Sequence, residues 1–276
     1  MMNTDLDKDD QMPTLFVGHG NPMNAIEDNE FSRAWREAAQ KIPKPKVILC
    51  ISAHWETWGT AVTVMDKPRT IHDFGGFPRE LYEVEYSASG SPQFALITQK
   101  LLTNAAVGLD RDWGLDHGCW SVLRQMYPKA DIPVIQLSLD YTKPASEHYT
   151  LAKDLAGLRK KGVLIIGSGN MVHNLRRIVL KDNDFSRFNE PYGLDWAIEA
   201  NDLFKKLILE NKHRTLIDYS SLGRAVELAV PTPEHYLPML YPLAIKEDDE
   251  IVTFFNDQPL AGSLTMTSFI VDKVAH

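Results

Sequence analysis

Short apolar runs rich in β-branched residues recur along the chain, at 14–18, 47–52, 61–65, 133–139, 163–167 and 250–255. Runs of this length that stay apolar predict strands buried in a core. Between them the apolar positions fall at helical spacing, over 30–41, 92–106, 119–127, 145–161, 191–211 and 221–229. Strand and helix alternate, which predicts an α/β fold with a central sheet. The helix expected over 145–161 ends on Lys160, Lys161 and Gly162, cations and a permissive residue where a helix C-terminus favours both. No Ser/Gly-rich linker and no repeat divides the chain, so one domain is expected over 13–276. Residues 1–12 hold four Asp and one Lys without periodicity and read as a disordered acidic tail. The acidic stretch Glu247 to Glu250 reads as a solvated turn.

Composition narrows the function. The 276 residues are 44% hydrophobic and 24% charged, a globular balance, and their net charge of −8 argues against a sequence-independent grip on nucleic acid phosphates. Two cysteines, Cys50 and Cys119, build no disulfide framework, which makes the cytoplasm the expected compartment. No apolar stretch approaches the roughly 18 residues of a membrane span. The start, MMNTDLDKDDQM, lacks the basic and apolar regions of a signal peptide.

Candidate chemistry lies in the nine histidines. His19, His54 and His173 each come just past the expected carboxyl end of a strand, where open α/β sheets bind ligands. His235 sits in Pro231-Thr232-Pro233-Glu234-His235-Tyr236-Leu237-Pro238, where three prolines are expected to fix a loop and exclude regular structure. Imidazoles gathered from separate loops suit a borderline divalent ion, Zn²⁺ or Fe²⁺, with open positions left for catalysis. His117, in Leu115-Asp116-His117-Gly118, either donates to a bound oxygen species or caps a turn. His72 belongs to a Gly/aromatic loop that reads either as a lid or as a packed turn, and Cys119 reads as structural. His148 and His213 are expected to face solvent and His276 to be disordered. Ser168 lacks the flanking glycines of a nucleophile elbow, and neither the Walker nor the Rossmann glycine pattern occurs.

Taken in order, Gly18-His19-Gly20-Asn21-Pro22, Ser52-Ala53-His54-Trp55, Ile71-His72-Asp73-Phe74-Gly75-Gly76-Phe77-Pro78, Leu115-Asp116-His117-Gly118, Gly167-Ser168-Gly169 with His173-Asn174-Leu175, and Pro233-Glu234-His235 are specific. The chain from about Pro13 to Val274 resembles the class III extradiol ring-cleavage dioxygenases, in particular the 4,5-DOPA dioxygenase extradiol-like group. The resemblance implies a single α/β domain with a mixed central sheet. It also implies one divalent ion on His19, His54 and His235, and a catalytic histidine at His173 with His117 beside it. The wider class holds iron by two histidines and a glutamate, whereas the third position here is histidine with Glu234 adjacent, a donor set that leans toward zinc. The implied reaction opens a catechol with O₂, with no nucleic acid or membrane partner. His173 would take a catechol proton and return it. Two other readings stay open: a zinc hydrolase using the same ion to activate water, and a metal-binding or interaction protein of this fold without catalysis.

Overall fold

Continuous apolar runs become strands covered on both faces. The computed structural model describes residues 11–184 and 187–273. Strands β1 (Thr14–Gly18), β2 (Val47–Thr57), β3 (Thr60–Thr63), β4 (Val107–Asp110), β5 (Val134–Asp140), β6 (Val163–Gly169) and β7 (Glu250–Phe255) belong to one eight-stranded sheet. After β7 come the two-residue strands β8 (Pro259–Leu260) and β9 (Leu264–Thr265), a separate pair, and then β10 (Ser268–Lys273), the eighth strand of the large sheet. Their order is β4-β3-β5-β2-β6-β1-β10-β7. The four central strands, β5, β2, β6 and β1, run parallel. Antiparallel pairing begins at β3 on one side and at β10 on the other, so the sheet is mixed, as the resemblance implies.

Period-two alternation divides the side chains of the central strands between two cores. Val163 and Ile165 of β6, with Leu49 and Ile51 of β2, pack with Ala197, Phe204 and Leu240 from the helices Asp195–Leu209 and Leu237–Ala244. Leu164, Ile166, Ile48 and Cys50 face the other way, onto Phe31 and Trp35 of the helix Glu30–Lys41 and Trp120 and Leu123 of the helix His117–Met126. The two helices of this second core each start on a side-chain cap. Asn29 and Ser32 form a reciprocal capping box, and the Asp116 carboxylate accepts from the Cys119 N–H at 3.1 Å. That second cap starts its helix two residues before the apolar spacing does, which puts His117 in the first turn.

Several expectations are corrected. β2 does not stop at Ser52 but runs to Thr57, so His54 lies within a strand. The helix expected over 145–161 breaks into Ala145–Lys153 and Ala156–Arg159, at Asp154, whose carboxylate accepts from the Thr103 N–H and the Asn104 amide. Three prolines do not keep 231–238 free of helix, because Pro238 occupies the first turn of Leu237–Ala244, where no N–H is needed. Residues 1–10 of the expected tail lie outside the described residues, but Met12 is fully buried and donates to the Arg159 carbonyl. The acidic turn is not all solvated: Glu250 is buried against Arg159. His148 is buried rather than solvent-facing, and His213 is half-buried, its Nδ1 2.7 Å from the Tyr149 hydroxyl. His276 lies outside the described residues. Among the described residues no helix is long and apolar enough to cross a membrane.

Candidate metal centre

Five histidines converge on one cavity beyond the carboxyl ends of β1 and β6. His19 follows β1 and its N–H bonds the Gly169 carbonyl at 3.1 Å. His54 stands in β2 where the register with β5 shifts between Ile51 and Glu56, an irregularity that re-aims side chains at a strand end. His173 lies past β6, its N–H on the Ala229 carbonyl at 2.9 Å, and the His235 carbonyl accepts from the Asn170 N–H at 2.9 Å. Residues Gly167-Ser168-Gly169 form the end of β6, not a flexible turn. Glycine is needed there for close approach: a Cβ on Gly169 would overlap the His235 carbonyl, and one on Gly167 the Pro238 carbonyl.

The side chains of His19, His54 and His235 each offer one nitrogen, and these atoms lie within 4.8 Å of one another. His19 Nε2 and His54 Nε2 are 3.0 Å apart. His173 stacks on His235 with ring centroids 3.4 Å apart and planes 8° from parallel, and His117 lies against His54 at 3.9 Å. The cavity they line measures about 340 Å³, and its remaining wall is largely apolar: Phe74, Phe77, Leu175, Ile178, Phe188 and Leu264. His72 is absent from that wall. Its Nε2 bonds the Val84 carbonyl at 2.9 Å, while its loop contributes Phe74 and Phe77 instead. Glu234 groups with His173 and His235 rather than with His19 and His54. Cys119 is buried and free, beside Cys50 in the core.

A carboxylate that sequence reading passed over serves His54 and His117 in this cluster. Asp73 Oδ2 lies 3.0 Å from His117 Nδ1 and 3.4 Å from His54 Nδ1, while Oδ1 accepts from the His117 N–H at 2.9 Å. Its signal was a lone carboxylate in an otherwise apolar and glycine-rich loop, which folds only if it finds donors. Burial, then the mutual repulsion of imidazolium charges, holds His19 and His235 well below the usual histidine range. The same causes bring His54 to about 3, against an opposing pull from Asp73, and burial followed by His117 brings His173 to about 4. Burial alone would raise Asp73, but its hydrogen bonds with His117 and the charges of His117 and His54 outweigh that and hold it low. All four of these histidines are therefore neutral donors at pH 7.

The family described as the catalytic LigB subunit of aromatic ring-opening dioxygenase matches residues 13–241. The chain belongs to that family. This LigB-family chain is 44% identical over 262 residues, 94% of each chain, to the 4,5-DOPA dioxygenase extradiol of Escherichia coli strain K12. It is 39% identical over 239 residues to the protein of the same name from Beta vulgaris, covering 84% of this chain and 86% of the relative. Its fold is similar to the crystal structure of an uncharacterized Escherichia coli K12 protein, with a TM-score of 0.81 and 38% identity over 95% of this chain and 100% of that one. As a LigB-family dioxygenase it is a metal-dependent oxidoreductase that opens a catechol ring with O₂.

The residues present fit a cation. Ser168 Oγ donates to the Gly118 carbonyl at 2.5 Å, so toward His19 Nδ1, 3.0 Å away, it can only accept. His19 therefore carries its proton on Nδ1 and points an Nε2 lone pair at His54 Nε2. His235 Nδ1 is buried with no hydrogen-bond partner among the described residues. A tetrahedral ion with metal–nitrogen bonds near 2.0–2.1 Å keeps its ligand atoms about 3.3 Å apart, the scale of this cluster.

Proposed function

We propose that this LigB-family dioxygenase cleaves a DOPA-like catechol in the extradiol sense, at an Fe²⁺ ion held by His19, His54 and His235. One observation carries the reading: three imidazole nitrogens from three separate segments lie within 4.8 Å of one another at the base of a cavity whose wall adds His117, His173 and Asp73. When bound, Fe²⁺ supplies chelation of both catechol oxygens and electron transfer to O₂, whereas Zn²⁺ has no accessible redox change.

The chain does the rest. Phe74 and Phe77, set edge to face at 5.3 Å, form an apolar slot suited to an aromatic ring and exclude water from it. His173 lies flat against His235, placing a neutral imidazole at the edge of the ligand set. From there it accepts a catechol hydroxyl proton and later returns it. His117, fixed by Asp73 on one edge, is the second proton-handling group.

The test is reconstitution with Fe²⁺ without air, followed by O₂ uptake and visible spectra over a catechol panel that includes DOPA. Fe²⁺ protein is expected to consume O₂ and form a yellow ring-opened semialdehyde, and the Zn²⁺ form to do neither. His54→Ala and His235→Ala are expected to lose the roughly one ion per chain that the parent binds. Folded variants that keep full metal would remove those residues from the ligand set. O₂ consumption by neither form would favour the zinc hydrolase.

A further inference from the structure

We infer that Asp73 is a positioning residue for the metal site: its carboxylate fixes which nitrogen of His54 carries the proton. The inference rests on the ligand set proposed above and adds to it a residue from a loop distant in sequence. A neutral imidazole has one N–H and one bare nitrogen, and only the bare one can hold a cation. At His54 the choice is between Nδ1, facing Asp73 Oδ2 at 3.4 Å, and Nε2, facing His19 Nε2 at 3.0 Å. A proton on Nδ1 meets a carboxylate and leaves Nε2 bare beside the bare Nε2 of His19. The other tautomer sets a lone pair against the carboxylate and an N–H where the ion belongs.

Asp73 is built to hold this arrangement. Its Oδ1 is committed to the His117 N–H, which leaves Oδ2 between the two rings. The loop is tied down on its near side by the Ile71 N–H on the Leu115 carbonyl at 2.7 Å and by Trp120 Nε1 on the Ile71 carbonyl at 2.8 Å. His117 Nδ1 lies 3.0 Å from the same Oδ2, so the carboxylate touches both rings at once. Ser168 does for His19 what Asp73 does for His54, from the opposite side of the pair. Partners of this kind orient metal-binding histidines and strengthen them as donors, and their loss typically weakens metal binding by about 10- to 100-fold.

The experiment replaces Asp73 by Asn, which keeps an oxygen for the His117 N–H and puts an NH₂ donor where Oδ2 was. Asp73→Ala, which removes both, is the companion. Two quantities are read on the parent and both variants. One is Zn²⁺ affinity by competition with a chromogenic chelator. The other is the tautomer of His54 in metal-free protein at pH 8, from long-range ¹H–¹⁵N spectra, with thermal melting of the metal-free forms as the check on folding. Expected are about 10- to 100-fold weaker Zn²⁺ binding and a His54 proton that moves from Nδ1 toward Nε2, with melting little changed. Zn²⁺ affinity within about threefold of the parent in a folded variant would overturn the inference. So would weaker binding with the His54 tautomer unmoved, because the loop would then act only as packing. If the parent itself bound no Zn²⁺, the ligand set would fail, yet the tautomer measurement would still decide the role of Asp73. If both variants failed to fold, the tautomer in the metal-free parent would decide, and a proton on Nε2 would overturn the inference.

Discussion

Two buried polar clusters sit at opposite ends of β1 and β6, and they solve opposite problems. At the amino ends, Arg159 and Glu250 are almost fully buried and every group is used. Arg159 Nε donates to the Met12 carbonyl at 2.7 Å, Nη1 to the Ile245 carbonyl at 2.8 Å and to Glu250 Oε2 at 2.9 Å, and Nη2 pairs with Glu250 Oε1. Glu250 Oε2 also accepts from the Glu247 N–H at 2.7 Å. At the carboxyl ends, His54 and His117 share the Asp73 carboxylate, the Nε2 atoms of His19 and His54 face each other at 3.0 Å and His235 Nδ1 has no partner among the described residues. A saturated cluster is complete within the chain. An unsaturated one is costly to bury and persists because something outside the chain completes it.

The contrast breaks most sharply at His173. Replacing it by Ala is expected to lower catechol turnover by about 10²- to 10⁴-fold while the metal stays bound, the cost of a lost proton-transfer group. Elemental analysis beside an oxygen electrode checks this. Loss of metal with activity would place His173 among the ligands, where its grouping with Glu234 and His235 also leaves room for it. Near-normal turnover would leave it no catalytic role.

At the other end, Glu250→Ala is expected to cost about 3–5 kcal/mol of stability, because it strands the Arg159 charge in the core. Chelator competition should find its metal affinity unchanged. The replacement of both partners, Arg159→Met with Glu250→Leu, should recover much of the loss, since apolar groups of similar volume often do as well as a buried pair. Urea unfolding of the two variants distinguishes a stability device from a part of the site: a double variant as weak as the single one would mean the pair does more than satisfy itself.

These two clusters were unequally legible in the sequence. His19, His173 and His235 stand where a strand ends or where prolines crowd, and punctuation of that kind is visible one residue at a time. His54 was placed past its strand because Ser52, Ala53 and Glu56 interrupt the apolar run, whereas in three dimensions β2 continues and a register shift carries the irregularity. The Arg159 and Glu250 pair was invisible, since its members are 91 residues apart and each reads alone as a surface charge. Asp73 was quoted without a role for the same reason: its partners His54 and His117 come from other segments. Edge strand β4, strand β10 and the helix Leu237–Ala244 were missed: β4 has only four residues, the helix carries two prolines, and β10 is decided by its pairing with β1 and β7 rather than by local pattern.

His148 sharpens the comparison with the smallest effect. It is a buried imidazole outside the cavity, and it is saturated: Nε2 lies 3.1 Å from the Asp140 carbonyl and must donate to it, so Nδ1 accepts from the Tyr241 hydroxyl at 2.9 Å. Burial lowers its pKa, with partial opposition from Asp140. In the folded protein it stays neutral below the ordinary histidine pKa of about 6.5, where the unfolded chain takes up a proton. Stability from His148 is therefore present in full above about pH 6.5 and falls as pH drops toward its lowered folded value, by up to about 1.4 kcal/mol per pH unit. The stability difference between the parent and His148→Gln should accordingly be larger at pH 8 than at pH 5.5, by urea unfolding of metal-free protein at both. A difference that stays constant or grows on acidification would show that His148 is charged in the fold, and the distinction between saturated and unsaturated buried imidazoles would lose its reference point.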